Sequence, residues 1–270
     1  MTRDGLDVRF GGRRATVRQP GPIGGIHSLF GLTVFRGPES LTHYDAYGIP
    51  AQRVDLSGRA SYIPSAARPA PRTDDYGLVF EKAVRTAHDR DDGHDGVFSG
   101  DSVVQQFVFD PDQRQLWSQL QGGHRFMSAA IAGDRVRHAL DRTWAIAPTA
   151  KLVAIQIGSN DHHGGAGNPN ETAEGIASLV AQATRLAPKA VVLLIAIPPT
   201  TETARHEKNL MTNDLIATLA DGARVRMIAP SSPPDMSNPY YSSDGLHFTP
   251  PGAALWYGTL APLFAEILGE

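Results

Sequence analysis

Residues 151–161 read Lys-Leu-Val-Ala-Ile-Gln-Ile-Gly-Ser-Asn-Asp, a mostly apolar run of strand length that ends in a polar turn. Such a run predicts a strand that is buried on both faces of a sheet. Similar runs lie on either side of it along the chain. The predicted strands are residues 96–99, 124–131, 151–157, 190–197 and 224–228.

Helical patterns separate these strands, with apolar residues at helical spacing in residues 135–146, 171–186 and 202–219. A last helix over 251–268 follows paired prolines, and Pro251 suits its first turn. Strands that alternate with helices predict an α/β fold whose parallel sheet is covered on both faces. Ligands of such sheets bind beyond the carboxyl ends of the strands, so functional polar clusters should each follow a strand.

Residues 1–90 have a different character. They are rich in Gly, Pro and Arg and contain only short apolar runs, such as 29–35. The stretch 57–73 is rich in Pro, Ala, Ser and Arg, which is typical of a loop or linker. We therefore predict an N-terminal extension over residues 1–90, made of loops and short strands as a small β-rich accessory region, and a main domain over residues 91–270.

Composition excludes several classes of function. The net charge of −3 and the pI near 6.4 give no basic surplus for nucleic acid. The chain has no cysteine, which excludes disulfides, thiolate catalysis and Cys-ligated metal sites. The first ten residues contain no apolar signal core, and no stretch is apolar enough to span a bilayer. We expect a cytoplasmic protein with no membrane partner.

The first polar cluster is Gly100-Asp101-Ser102, between a predicted strand and a helical segment. A serine at such a turn exposes its hydroxyl, and its N–H lies at a helix N-terminus, where negative charge is favoured. Those properties suit an acyl-transfer nucleophile, although a simple helix-capping serine gives the same pattern.

Two further clusters follow the next strands. Gly133 can turn a backbone N–H toward a ligand, and Asn160 can offer its amide to a developing oxyanion. A turn glycine and a loop asparagine are the simpler interpretations. His162 and His163 come next, but adjacent histidines rarely share one ion and no acidic or thiol ligands cluster with them, so a site-edge loop is favoured over a metal site.

The fourth cluster, Asp244-Gly-Leu-His247, precedes the last helix. An aspartate three residues before a histidine can fold back to orient the ring and stabilise the imidazolium that forms when the ring takes a serine proton. A surface turn with a capping aspartate is the alternative. The order Ser, Gly, Asn, Asp-x-x-His carries more weight than any one cluster, because each member is predicted to reach the same sheet edge.

This set resembles the SGNH (GDSL) hydrolase superfamily over residues 95–270. Gly100-Asp101-Ser102 is similar to its block I, Gly133 to the block II glycine, 158–161 to the block III Gly-x-Asn-Asp, and Asp244-x-x-His247 to block V. The chain looks most like the platelet-activating-factor-acetylhydrolase type. Supporting stretches are 100–105, 131–134, 171–176 and 208–215. Val103 and Ser128 depart from the common Leu and Asn of these blocks.

The resemblance implies a three-layer α/β/α sandwich with a five-stranded, flavodoxin-like parallel sheet. It implies Ser102 as nucleophile and His247 as general base, oriented by Asp244. The implied oxyanion hole consists of the N–H groups of Ser102 and Gly133 and the side chain of Asn160. The acidic residues inside blocks I and III, Asp101 and Asp161, are substrate-binding candidates.

The predicted function is hydrolysis of a small, acetyl-type ester with no cofactor and no metal. Alternatives are an acyltransferase that uses the same acyl-enzyme, a catalytically inactive binding protein, and a carbohydrate deacetylase. For the last, sugars could stack on Trp117, Trp144 and Trp256, although core packing is the favoured role of all three. The expected partner is a small-molecule ester substrate. The sequence does not predict the oligomeric state, and a homodimer is one of the alternatives.

Overall fold

The chain forms two units, Met1–Pro64 and Ser65–Glu270. The structure, a computed structural model, describes residues 65–91, 93–230 and 239–269, and the strands of the first unit. Those strands pair as an antiparallel hairpin, β1–β2, and as a four-stranded antiparallel sheet in the order β3-β4-β5-β6. They are β1 Leu6–Phe10, β2 Arg13–Val17, β3 Ile26–Ser28, β4 Leu32–Phe35, β5 Ser40–Tyr44 and β6 Pro50–Asp55.

The second unit alternates strands and helices, with short 3-10 turns at Ser65–Ala67, Thr143–Ala145 and Ser159–Gly165. Its strands are β7 Gly96–Gly100, β8 Phe126–Ser128, β9 Leu152–Gln156, β10 Val191–Ile195 and β11 Val225–Ile228. Its helices are α1 Asp75–Arg90, α2 Ser102–Phe109, α3 Arg114–Gln121, α4 Val136–Asp141, α5 Pro169–Leu186, α6 Thr203–Ala217, α7 Pro250–Gly258 and α8 Ala261–Leu268.

The five strands of this unit form one parallel sheet in the order β11-β10-β9-β7-β8. The predicted α/β sandwich with a five-stranded parallel sheet is confirmed. The first strand of the sheet, β7, lies between β8 and β9, so the chain leaves it in one direction and later returns on its other side. A crevice forms at such a switch point beyond the carboxyl ends of the strands, and α/β proteins bind their ligands there.

One face of the sheet packs against α2, α3, α7 and α8. Alternate strand residues contribute to this core, because successive side chains of a strand point to opposite faces. In β9 these are Leu152 and Ala154, and in β10 they are Leu193 and Ile195. The helices contribute Phe107, Trp117, Trp256 and Phe264, among others. The intervening strand residues, such as Val153 and Val192, are equally buried and face the layer that contains α5.

Two predicted elements are wrong. Residues 1–90 were predicted as strands and loops, yet Asp75–Arg90 is a 16-residue helix. Its pattern is weak because its exposed residues include Leu78 and Val79, while Val84 is buried. The second unit begins at Ser65 and so contains this helix, whereas the predicted division lies at residue 90.

The last helix, predicted as one element, is two. Helix α7 ends at Gly258 and α8 begins at Ala261, with Pro262 in its first turn. A proline inside a continuous helix would lack its N–H and would clash with the carbonyl four residues before it. The chain therefore breaks ahead of Pro262 and restarts, which places a proline where helices accept one.

Candidate active site

Ser102, His247 and Asp244 form one hydrogen-bonded series at the carboxyl edge of the sheet. His247 Nε2 lies 2.8 Å from Ser102 Oγ, and His247 Nδ1 lies 2.7 Å from Asp244 Oδ2. Ser102 and His247 are 145 residues apart in the chain. The structure thus brings together the three residues that were predicted as nucleophile, base and orienting acid.

Ser102 owes its position to the end of β7. Gly100 is the last residue of that strand, and a Cβ there would lie 2.8 Å from the carbonyl oxygen of Gln156 on β9, so the close approach requires glycine. Asp101 caps α2 by accepting the Val103 N–H at 3.1 Å. Ser102 is the first residue of α2, and its own N–H has no acceptor among the described residues. Both the hydroxyl and a helix N-terminal N–H are therefore available.

His247 is held by a tight turn. The Ser242 N–H donates to the His247 carbonyl at 2.8 Å, and Gly245 has a φ of +62°. Asp244 accepts the N–H groups of Leu246 at 2.9 Å and His247 at 3.0 Å on its Oδ1 atom, which leaves Oδ2 for the ring. Partial burial raises the pKa of Asp244, but these hydrogen bonds outweigh it and the pKa is lowered overall. The carboxylate therefore stays charged and fixes the ring.

Gly133 and Asn160 are also brought near each other. The Asn160 Nδ2 atom donates to the carbonyl oxygen of Asp134 at 3.0 Å, next to Gly133. Gly133 is exposed, has a φ of +80°, and its N–H has no acceptor within the described ranges. Both residues follow strands, Gly133 after β8 and Asn160 after β9, so both lie at the carboxyl edge of the sheet.

Asp101 and Asp161, the predicted substrate-binding residues, contact the protein's own backbone. Asp101 is 4% exposed and caps α2, and its burial raises its pKa to about 7. Asp161 accepts the Val136 N–H at 3.0 Å, at the start of α4, and burial raises its pKa to about 6. These contacts give both residues a role in building the site, and their contact with substrate stays a prediction.

The two histidines after Asn160 point to different partners. His162 is buried and bonds Thr212 of α6 at 2.9 Å, while His163 bonds Arg205. No group of three or more acidic or histidine side chains suited to a metal ion occurs in the described part of the chain. Lys208 of α6 donates to three successive carbonyls, of residues 165, 166 and 167, at 2.6–3.0 Å. Helix α6 therefore anchors the loop that carries Asn160.

Two of the three tryptophans are buried in the core, and an arginine lies over the ring of the third. Trp117 and Trp256 are 8% and 2% exposed, within the core. The guanidinium of Arg85 covers the ring of Trp144, 3.9 Å from its centroid. The core role of Trp117 and Trp256 agrees with the interpretation favoured from the sequence.

Sequence reasoning missed a buried ionic cluster behind Gly133. Asp134 is fully buried and receives hydrogen bonds from two guanidinium groups, those of Arg72 and Arg142. Arg72 also donates to the Ala132 carbonyl at 2.8 Å. Nothing in the Pro- and Ala-rich stretch around Arg72 signals this contact, because its partners lie about sixty residues further along the chain.

The chain is similar in sequence to one known protein family. Residues 98–255 match the sequence model of the GDSL-like Lipase/Acylhydrolase family, which is more than half of the chain. The chain belongs to this family. No curated protein matches it in a sequence search.

Solved structures share the fold. A structure from Streptococcus pneumonia, assigned as a platelet activating factor, is 19% identical with a TM-score of 0.59, and the match covers 70% of this chain and 92% of that one. An acylhydrolase from Bacteroides fragilis is 19% identical with a TM-score of 0.58, covering 73% and 100%. A GDSL-like lipase from Bacteroides thetaiotaomicron is 20% identical with a TM-score of 0.56, covering 69% and 97%.

The GDSL family is one of ester-hydrolysing enzymes, so this chain is an ester hydrolase of the GDSL type. Within the residues that the structure describes, no helix combines the length and apolarity needed to cross a membrane.

Proposed function

We propose that this GDSL hydrolase is a serine esterase that cleaves a small carboxylic ester, with acetyl as the acyl group, through an acyl-enzyme on Ser102. The unbroken series Ser102–His247–Asp244, with contacts of 2.8 and 2.7 Å, carries the proposal. Nucleophile, base and orienting carboxylate at these distances are what covalent acyl transfer needs.

In the proposed reaction, Ser102 Oγ attacks the ester carbonyl carbon while His247 Nε2 takes the hydroxyl proton. The imidazolium then gives that proton to the leaving alkoxide, and the alcohol departs as the acyl-enzyme forms. In the second half, water attacks the acyl carbon and loses a proton to His247. The imidazolium then returns that proton to Ser102 Oγ as the bond between Oγ and the acyl carbon breaks, which releases the carboxylic acid and restores the free enzyme. Asp244 remains ionised throughout and stabilises the charged ring.

Three donors serve the oxyanion in this proposal. Two are the N–H groups of Ser102 and Gly133, neither of which has an acceptor among the described residues. The third is Asn160, whose amide group has two N–H bonds. One is used on the Asp134 carbonyl, which orients the amide and leaves the other N–H for substrate.

The preference for a small acyl group is supported by the sequence resemblance to acetylhydrolases of the platelet-activating-factor type. An acyltransferase would use the same residues, with an alcohol instead of water resolving the acyl-enzyme.

The test is hydrolysis of p-nitrophenyl esters of increasing acyl length by wild type and by Ser102→Ala. We expect wild type to prefer acetate and Ser102→Ala to lose nearly all turnover, because only binding and oxyanion stabilisation would remain. Ser118→Ala is the control, since this exposed serine donates to the Arg114 carbonyl of its own helix and its hydroxyl has no other partner among the described residues. Equal rates for wild type and Ser102→Ala would contradict the proposal.

A fluorophosphonate probe adds a readout that does not depend on the substrate. We expect it to label wild type at Ser102 and to leave Ser102→Ala unlabelled. Adding an acyl thioester and candidate alcohols separates the two fates of the acyl group. If ester product forms faster than free acid, the proposed function is acyl transfer and not hydrolysis.

A further inference from the structure

We infer that Arg72, which lies outside the residues matched by the family, is a positioning residue for the oxyanion hole. It fixes the orientation of the peptide between Ala132 and Gly133, and so the direction of the Gly133 N–H. The inference rests on the proposed function, in which that N–H donates to the oxyanion.

The geometry of the peptide unit links its carbonyl to its N–H. A trans peptide is planar, and its C=O and N–H point to opposite sides. The carbonyl of the Ala132–Gly133 peptide accepts a hydrogen bond from Arg72 Nη1 at 2.8 Å. Holding this carbonyl toward Arg72 therefore directs the Gly133 N–H away from Arg72.

The Ala132–Gly133 peptide needs a hydrogen bond of this kind to fix its orientation. Gly133 has a φ of +80° and no Cβ, so its backbone can adopt conformations that other residues avoid. The peptide could then rotate and present its carbonyl where its N–H is required. A carbonyl oxygen facing an oxyanion would repel it, so the orientation of this single unit decides whether the site stabilises or destabilises the intermediate.

A second hydrogen bond ties the same segment to the nucleophile's helix. The Ala132 N–H donates to Gln105 Oε1 at 2.9 Å, and Gln105 is buried on α2, the helix that begins at Ser102. Gln105 Oε1 also accepts the Tyr76 hydroxyl at 2.9 Å. Arg72 and Gln105 thus hold the segment before Gly133 from two directions.

Arg72 is itself rigidly held. Its side chain is 9% exposed, and it donates to both Asp74 oxygens, at 2.6 and 2.8 Å, and to Asp134 Oδ1 at 2.9 Å. The planar guanidinium reaches all three acceptors at once, which a lysine ammonium on a flexible stem cannot reproduce. Its positive charge on the Ala132 carbonyl also polarises the peptide and makes the Gly133 N–H a stronger donor.

Arg142 provides a matched control for the structural part of this role. It is also buried and also bonds Asp134, but its carbonyl partner is Ala129, at 3.1 Å. The substitutions Arg72→Lys and Arg142→Lys both weaken the same buried ionic cluster. Only the first removes the planar donor from the Ala132 carbonyl.

The experiment measures kcat, KM and Tm for wild type, Arg72→Ala, Arg72→Lys and Arg142→Lys with p-nitrophenyl acetate. We expect both Arg72 variants to lose about 10- to 100-fold in kcat with little change in KM, because the oxyanion donor matters in the transition state. We expect Arg142→Lys to lower Tm while keeping kcat within a few fold. Guanidinium at millimolar concentration should partly restore kcat of Arg72→Ala and leave Arg142→Lys unchanged.

Two results would overturn the inference while leaving the esterase proposal intact. One is an Arg72→Lys variant with the kcat of wild type. The other is a loss of kcat that follows the loss of Tm equally in Arg72→Lys and Arg142→Lys, which indicates a purely structural role. If Arg72→Ala does not fold, the lysine pair decides the matter. Absence of Ser102-dependent turnover in wild type would instead refute the proposed function.

Discussion

Asp101 is a carboxyl group that folding encloses almost completely. Its folded pKa of about 7, raised mainly by burial, lies above the value of 3.8 for an unperturbed aspartate. The folded protein therefore holds this proton more tightly than the unfolded chain. The resulting stabilisation is complete below about pH 4 and is lost as the pH rises toward 7.

We expect Asp101→Asn to remove this pH dependence. The asparagine keeps the Oδ1 acceptor for the Val103 N–H but has no proton to lose. Relative to wild type, its free energy of unfolding should rise between pH 4 and 7 by roughly 1 kcal/mol per pH unit. Urea denaturation across this range measures it, with Asp112→Asn on the exposed surface as control. Parallel curves for wild type and Asp101→Asn would show that Asp101 does not titrate there.

The hydrogen bonds of Asp244 determine how a replacement side chain would be oriented toward His247. Its Oδ1 atom already accepts two backbone N–H groups, from Leu246 and His247. In Asp244→Asn the amide oxygen would keep those bonds, which turns the amide N–H toward His247 Nδ1. That nitrogen must then accept, so the proton moves to Nε2, and Nε2 can no longer take a proton from Ser102.

We therefore expect Asp244→Asn to be slower than Asp244→Ala. In the alanine variant water can replace the carboxylate, whose side chain is 50% exposed, so a loss of about 10- to 10³-fold in kcat is expected. The kcat of the asparagine variant should be lower than that of the alanine variant. Measured kcat values for p-nitrophenyl acetate decide the order, and an asparagine variant faster than the alanine variant would contradict the tautomer argument.

Among the secondary-structure elements, the buried strands could be predicted best from the sequence. Runs such as 151–157 are apolar on both faces because helices cover both sides of the sheet, and that leaves a clear pattern. Helix α1 has a weaker pattern, since Leu78 and Val79 are exposed, although its buried and half-buried residues recur at helical spacing. The break between α7 and α8 was readable from Pro262 in principle, because a proline there cannot continue a helix from Gly258.

In the candidate site too, some residues could be predicted from the sequence and others could not. Ser102, Asn160 and His247 could be predicted because each follows a strand or precedes a helix in a known order of motifs. Arg72 could not, because its contact with the Ala132 carbonyl is made to backbone and depends on the folded path of the chain. The burial of Asp101 was equally hidden, since a capping and a substrate-binding aspartate look alike in sequence.

At the scale of the whole molecule, the unit Ser65–Glu270 contains the parallel sheet and every residue of the candidate site. We expect a fragment of residues 65–270 to unfold cooperatively and to hydrolyse p-nitrophenyl acetate at close to the rate of the full chain. A fragment of residues 91–270 lacks α1 and Arg72, and leaves the buried Asp134 with one guanidinium instead of two.

We expect this shorter fragment to be unstable and inactive, because a buried carboxylate that loses a partner is costly. Thermal unfolding and ester hydrolysis of the two fragments are the measurements. Full activity in residues 91–270 would contradict the importance of the segment before β7. An unfolded 65–270 fragment would show that this unit needs residues 1–64.

Ser102 and His247 are 145 residues apart in the chain, and this separation has a consequence during synthesis on the ribosome. Among the five strands of the parallel sheet, β7, which ends just before Ser102, emerges first, and its neighbours β8 and β9 can complete its hydrogen bonds well before the chain is finished. In the proposed mechanism, a nascent chain that stops short of Asp244 holds a serine with no base to activate it. The proposed acyl transfer by Ser102 therefore becomes possible only late in translation, when the turn before α7 reaches the sheet.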